Sequence, residues 1–192
     1  MSDVIATIGA LRARIASATG PETLTLRADT VFDCSAGPLA FSPGMDITLL
    51  SEGSGTVLNA YGFGRVVGVD GARLALRGVG IAGGSEPGGN GGCLFAVANS
   101  EVWLDDLEIT DCSALWGGGL FIRESEMWVN NVTLARAQAF SAEGQTNPGR
   151  WWHAHLCGRQ GALARLDPHK CHGSQRRKHV RDRGRNLRRL GC

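Results

Sequence analysis

Cys93–Cys112, CLFAVANSEVWLDDLEITDC, repeats the pattern of Arg65–Gly84, RVVGVDGARLALRGVGIAGG, without a gap and 28 residues later. Val66 falls on Leu94, Val69 on Val97 and Leu74 on Val102, while Leu76, Val79 and Ile81 fall on Leu104, Leu107 and Ile109. Glu126–Ala137, EMWVNNVTLARA, repeats Glu101–Cys112 at an offset of 25, with Met127, Val129, Val132 and Leu134 on the same apolar positions. Upstream, Ile47 and Leu49 precede Leu74 and Leu76 by 27, and Leu24 and Leu26 precede Ile47 and Leu49 by 23. Thr30-Val31-Phe32-Asp33 precedes Thr56-Val57-Leu58-Asn59 by 26. The period is therefore 23 to 28 residues.

Within each repeat the apolar residues alternate in short runs, as in Val102-x-Leu104 and Leu107-x-Ile109. Alternation of this kind marks strands with one buried face. Asp105-Asp106 and Asn130-Asn131 separate the runs and leave room for a bend but not a helix. Three strands per repeat, joined by bends, describe one coil of a solenoid. Leucine-rich repeats have a similar period, but their Leu-x-x-Leu-x-Leu pattern is missing, and propeller blades are longer, at about 40 residues. The expected fold is all-β: a right-handed parallel β-helix (solenoid) over residues 20–145, truncated at its C-terminal end. One coil cannot offset its own ordering entropy, so stability rests on stacked neighbours.

Open coil ends expose strand edges, which need cover. In residues 1–19, Val4, Ile8, Leu11 and Ile15 recur at helical spacing, with Arg12 and Arg14 off the stripe, and Gly20-Pro21 stops the helix. This segment is expected to be an N-terminal capping helix. It lacks the form of a signal peptide, having no basic start followed by a continuous apolar run. No stretch is apolar enough to span a membrane as a helix.

The net charge of +2 conceals a division. Residues 1–149 hold 8 Arg, no Lys and 16 Asp plus Glu, a net of −8. Residues 150–192 hold 12 Arg plus Lys and 2 Asp, a net of +10, together with all 5 His. Residues 146–192 are expected to be a disordered basic C-terminal tail. Trp151-Trp152-His153 must be encoded TGG TGG CAY, which reads Gly-Gly when shifted by one nucleotide. Gly-Gly also precedes the Leu-Phe strands at 91–95 and 118–121, so residues from about 146 onward are expected to be an out-of-frame or intron-derived tail on a truncated repeat protein. His153, His155, Cys157, His169, Cys171 and His172 are metal-ligand types, but without zinc-finger spacing. The Arg-rich run Gln175–Arg189 could hold phosphates, but no aromatic residue interleaves for base stacking, so nucleic acid is not an expected partner. Cys34, Cys93 and Cys112 of the body are expected to be small buried thiols.

Gly-Gly-Cys-Leu-Phe at 91–95 and Gly-Gly-Leu-Phe at 118–121 resemble the Gly-Gly-apolar-apolar motif of polymorphic outer-membrane protein repeats. Thr56–Asn59, Arg65–Val69, Leu74–Leu76 and Val79–Gly84 are similar to the pectin-lyase-like right-handed β-helix proteins. The resemblance implies a secreted or surface protein that binds or cleaves polysaccharides, or acts as an adhesin.

Pectate-lyase-like enzymes hold Ca²⁺ on outward carboxylates, for which Asp106, Glu108, Asp111, Glu124 and Glu126 are the candidates here. The body has no Lys to act as base, and Asp105-Asp106 over Asn130-Asn131 is equally a ladder of bend residues. Trp103 and Trp128 occupy equivalent outward positions and offer either a platform for sugar rings or a packing surface. Asn131-Val132-Thr133 is a glycosylation acceptor triplet, relevant if the chain is secreted. The expected function is a non-catalytic β-helix repeat of a surface or extracellular protein. It would bind glycans or protein partners through Trp103, Trp128, Asp105, Asp106, Asn130 and Asn131. The alternative is a partial or degenerate polysaccharide lyase or hydrolase.

Overall fold

The computed structural model describes residues 3–139 and 164–166. It is a parallel β-solenoid of about five turns. The first coil holds β1 (Glu22–Leu26), β2 (Val31–Asp33) and β3 (Leu39–Phe41). The second holds β4 (Asp46–Ser51), β5 (Val57–Asn59) and β6 (Val67–Asp70). The third holds β7 (Arg73–Arg77), β8 (Gly80–Ala82), β9 (Ser85–Asn90) and β10 (Leu94–Val97). β11 (Glu101–Trp116) and β12 (Leu120–Ile122) form the fourth, and β13 (Glu126–Ala139) the fifth.

Equivalent strands stack in parallel ladders. One ladder runs β1-β4-β7 and continues onto the first parts of β11 and β13; a second runs β2-β5-β8 and continues onto their middle parts. A separate sheet runs β3-β6-β10-β12. The alternating apolar residues point inward as expected and make one continuous core from Ile5 to Val129. Leu74, Leu76, Val102, Leu104 and Ile109 are all at most 1% exposed.

Two registers differ from the sequence alignment. Leu24 pairs with Leu49, an offset of 25 rather than 23. A slip of two residues keeps every side chain on its face, so the apolar pattern cannot distinguish the two registers. In the β6–β10 ladder Val67 pairs with Leu94 and Val69 with Ala96, so this sheet is offset by 27 while β7 and β11 are offset by 28. The extra residue sits in the corner: Gly71-Ala72 turns the chain after β6, but Ala98-Asn99-Ser100 turns it after β10.

β11 and β13 stay in one register on both sides of each bend, with the pairing skipped at the bend residues themselves, where both turn sharply. Asp106 (φ 53°) and Asn131 (φ 47°) adopt the left-handed conformation, as does Gly78 (φ 65°) one coil earlier. Asp111 (φ 55°) and Arg136 (φ 49°) repeat the device below Gly83 (φ 64°). Asp and Asn tolerate this region through short polar side chains. Here those side chains also bond along the corner, since Asn131 Nδ2 donates to Asp106 Oδ1 at 2.6 Å.

The Gly-Gly motif has a packing cause. Gly91 (φ 65°) aligns with Gly117 (φ 61°), so the structural equivalents are 91–92 and 117–118, rather than 118–119. A Cβ on Gly92 would collide with the Ser113 carbonyl and stand 2.6 Å from the Gly118 oxygen. One on Gly118 would collide with the Gln138 carbonyl. At these corners the incoming chain lies against the backbone of the next coil, and any side chain would separate them.

Cys93 and Cys112 form a disulfide, with Cα atoms 5.5 Å apart, which corrects their reading as free thiols. Both are at most 1% exposed, so the bond lies in the core. Their separation of 19 residues is less than one repeat, and nothing in the linear spacing marks them as facing one another. Cys34 is free and buried, as expected.

The helix α1 spans Ile8–Ser17, with Thr7 capping the Ala10 N–H at 3.3 Å. Leu11 and Ile15 are buried, and Ile8 packs against the core. Val4 lies outside the helix and is exposed; Ile5 takes the inward place instead, its backbone bridging Leu26 on the free edge of β1. Arg12 donates to the Pro38 carbonyl at 3.0 Å and to that of Gly37, and Arg14 pairs with Glu22, so both tie the cap to the first coil.

At the other end, β14 (Ala164–Leu166) pairs antiparallel with Met127–Val129. The sequence pattern holds no strand signal there. The remaining expectations for residues 146–192, including its His, Cys and Arg clusters, lie outside the described residues. Among the described residues no helix is long and apolar enough to cross a membrane.

Candidate functional site

Register decides which side chains share the outer face of the first ladder. Thr23, Thr48, Ala75, Trp103 and Trp128 are successive partners and form one outward column. Trp103 and Trp128 stack with centroids 4.6 Å apart and planes 7° from parallel. That spacing is close to the inter-strand distance of a sheet, so the coil repeat itself stacks the rings. Trp128 thus covers one face of Trp103. The other face looks toward Ala75 in the coil before, with the Arg73 guanidinium carbon 5.4 Å from the Trp103 centroid.

Polar columns run on both sides. Asp46, Arg73, Glu101 and Glu126 are successive partners on one side. Arg73 is held between Glu101 at 2.9 Å and Asp46 at 3.9 Å. Leu50, Arg77, Asp105 and Asn130 are partners on the other, with Asn130 Nδ2 donating to Asp105 Oδ1 at 2.6 Å.

The structure therefore brings together four of the six candidates, Trp103, Trp128, Asp105 and Asn130, on one flat face. Asp106 and Asn131 stand beside it on the exposed corner and bond to each other. Asp111 accepts two hydrogen bonds from Arg136, at 2.6 and 2.7 Å, which hold its carboxyl below the usual carboxylate range. The carboxylates considered for Ca²⁺ do not converge: among the described residues no group of three His, Cys, Asp or Glu is placed to hold a metal ion. In the acceptor triplet, Asn131 and Thr133 are both exposed.

Two features escaped the sequence reading. Ala75 is the small member of the Trp column, visible in the alignment only as the residue opposite Trp103. On the other sheet, Ala40, Gly68, Phe95 and Phe121 form a similar outward column, with the two rings stacked 5.5 Å apart. Arg65 lies over Phe95 at 4.4 Å and is tied down by bonds to the carbonyls of Asn90 and Gly91, at 2.7 and 3.0 Å. The Gly-Gly-x-Leu-Phe motif carried this signal, but reading it as a strand start hid the outward direction of its Phe. No family model, no curated protein and no solved structure matches this chain.

Proposed function

We propose that this chain is a non-catalytic β-solenoid segment of a surface or extracellular protein that binds glycans through its Trp103–Trp128 face. The observation that carries the reading is the ring pair set between two polar columns. Aromatic carbons take the C–H surface of a sugar, while Glu101, Glu126, Asp105 and Asn130 supply acceptors for hydroxyls on either side. The resemblance of the Gly-Gly motifs to polymorphic outer-membrane repeats, and of the early coils to pectin-lyase-like proteins, supports the same reading. The Cys93–Cys112 disulfide supports an oxidising compartment.

The test is titration of the purified chain with soluble oligosaccharides, followed by tryptophan fluorescence and calorimetry. Saturable binding that disappears in the Trp103→Ala, Trp128→Ala double variant is expected. Unchanged binding in that variant refutes the site. Calcium-dependent release of unsaturated sugar products would replace the reading with that of a polysaccharide lyase.

A further inference from the structure

We infer that Asn131 is a modification site: the acceptor of an N-linked glycan in a chain that passes through a secretory compartment. The inference rests on the extracellular part of the reading above and is independent of the Trp103–Trp128 face. The transfer joins Asn131 Nδ2 to the anomeric carbon of an oligosaccharide carried on a polyprenyl pyrophosphate. The anomeric C–O bond breaks, the lipid pyrophosphate leaves with its electron pair, and one amide proton is lost. The acceptor such a transfer needs is an Asn with a hydroxyl residue two positions on, which Asn131-Val132-Thr133 supplies. The other asparagines among the described residues, Asn59, Asn90, Asn99 and Asn130, have Tyr61, Gly92, Glu101 and Val132 at that position. The Cys93–Cys112 bond adds that the chain folds where disulfides form, as in a secretory lumen.

The fold leaves this acceptor open. A glycan is bulky and hydrophilic, so its anchor must stand on the surface. The left-handed bend at φ 47° makes Asn131 a corner residue, and it is exposed. Val132 packs against the core, and Thr133 beyond it is exposed again, so acceptor and hydroxyl both lie on the outside of one corner. Asn131 Nδ2 donates to Asp106 Oδ1 at 2.6 Å, and an amide that carries a sugar keeps one N–H for that bond. Asp106 is exposed as well, so the neighbouring coil does not enclose the position. Asn130, one residue earlier, is only half-exposed and bonds within the ladder to Asp105. The strand pairing of β14 covers Met127–Val129 and ends two residues short of the corner.

The experiment expresses the full chain behind a cleavable secretion leader in a eukaryotic host. The mass of the secreted protein is measured before and after treatment with a peptide-N-glycosidase. The expected result is a loss of mass on treatment, with Asn131 recovered as Asp. Thr133→Ala should abolish the shift and Thr133→Ser should keep it, and because Thr133 is exposed neither change touches the core. Far-UV circular dichroism and an intact Cys93–Cys112 bond show that each secreted form is folded. Secretion of folded wild-type chain without a mass shift overturns the inference. A shift that survives Thr133→Ala, or a glycan found only on chain lacking the disulfide, overturns it too. The sugar titration of the Trp103–Trp128 face is read separately. A glycosylated chain that binds no oligosaccharide overturns that reading and supports the acceptor, and an unglycosylated chain that binds one does the reverse.

Discussion

Removing the Cys93–Cys112 disulfide isolates a contribution that acts mainly through the unfolded chain. The bond closes a loop between residues 19 apart, for which loop-closure entropy gives about 3 kcal/mol at 25 °C. With a urea dependence of about 2 kcal/mol per molar, the unfolding midpoint of the reduced protein should fall by about 1.5 M. The assay is equilibrium urea unfolding followed by circular dichroism, with and without reductant, repeated on the Cys93→Ala, Cys112→Ala variant. Both sulfurs belong to residues at most 1% exposed, so reductant should act only as the coils open. Free thiol should therefore appear at the rate of unfolding, not the rate of thiol exchange in solution. An unchanged midpoint on reduction, or instant reduction of the folded protein, would refute the reasoning. Either result would mean that the bond does not constrain coils three and four in the core.

Gly92→Ala should destabilise the solenoid by about 1–3 kcal/mol or more, because its Cβ meets the Ser113 carbonyl. Gly68→Ala, with nothing within 4 Å of the new atom, should be near neutral in the same melting assay. Asn131→Val should cost about 1–2 kcal/mol through its left-handed backbone, and Asn131→Gly much less; equal losses in the two would discount the conformational argument. Burial pushes the Cys34 thiol up to about 11, from 9.0. Its raised value means that the stability it contributes is complete below pH 9 and is lost as pH rises toward 11. Cys34→Ala should flatten the alkaline fall in stability across that window, and native Cys34 should resist alkylation at pH 8.

The solenoid was legible because stacking forces a repeat into the sequence. Leu74, Val102 and Met127 recur because each fills the same place in successive coils. The Asp106–Asn131 corner was legible for a related reason, since a left-handed bend accepts few residue types. The pairing of Trp103 with Trp128 followed from alignment alone. Less was visible wherever the period changes within a coil. The offset between the third and fourth coils is 27 in one sheet and 28 in another, and an alignment without gaps can represent only one of them.

Taken by itself, the sequence determined the class of fold, the inward and outward faces, the amphipathic cap and the composition boundary near residue 150. These follow from local alternation and from the chemistry of bends. Tertiary structure decided the two-residue register of β1 on β4 and the Cys93–Cys112 bond. Each of these depends on the number of residues in a corner. Corner length leaves the alternating pattern intact while moving side chains along the coil, so only the folded chain reveals which of them meet.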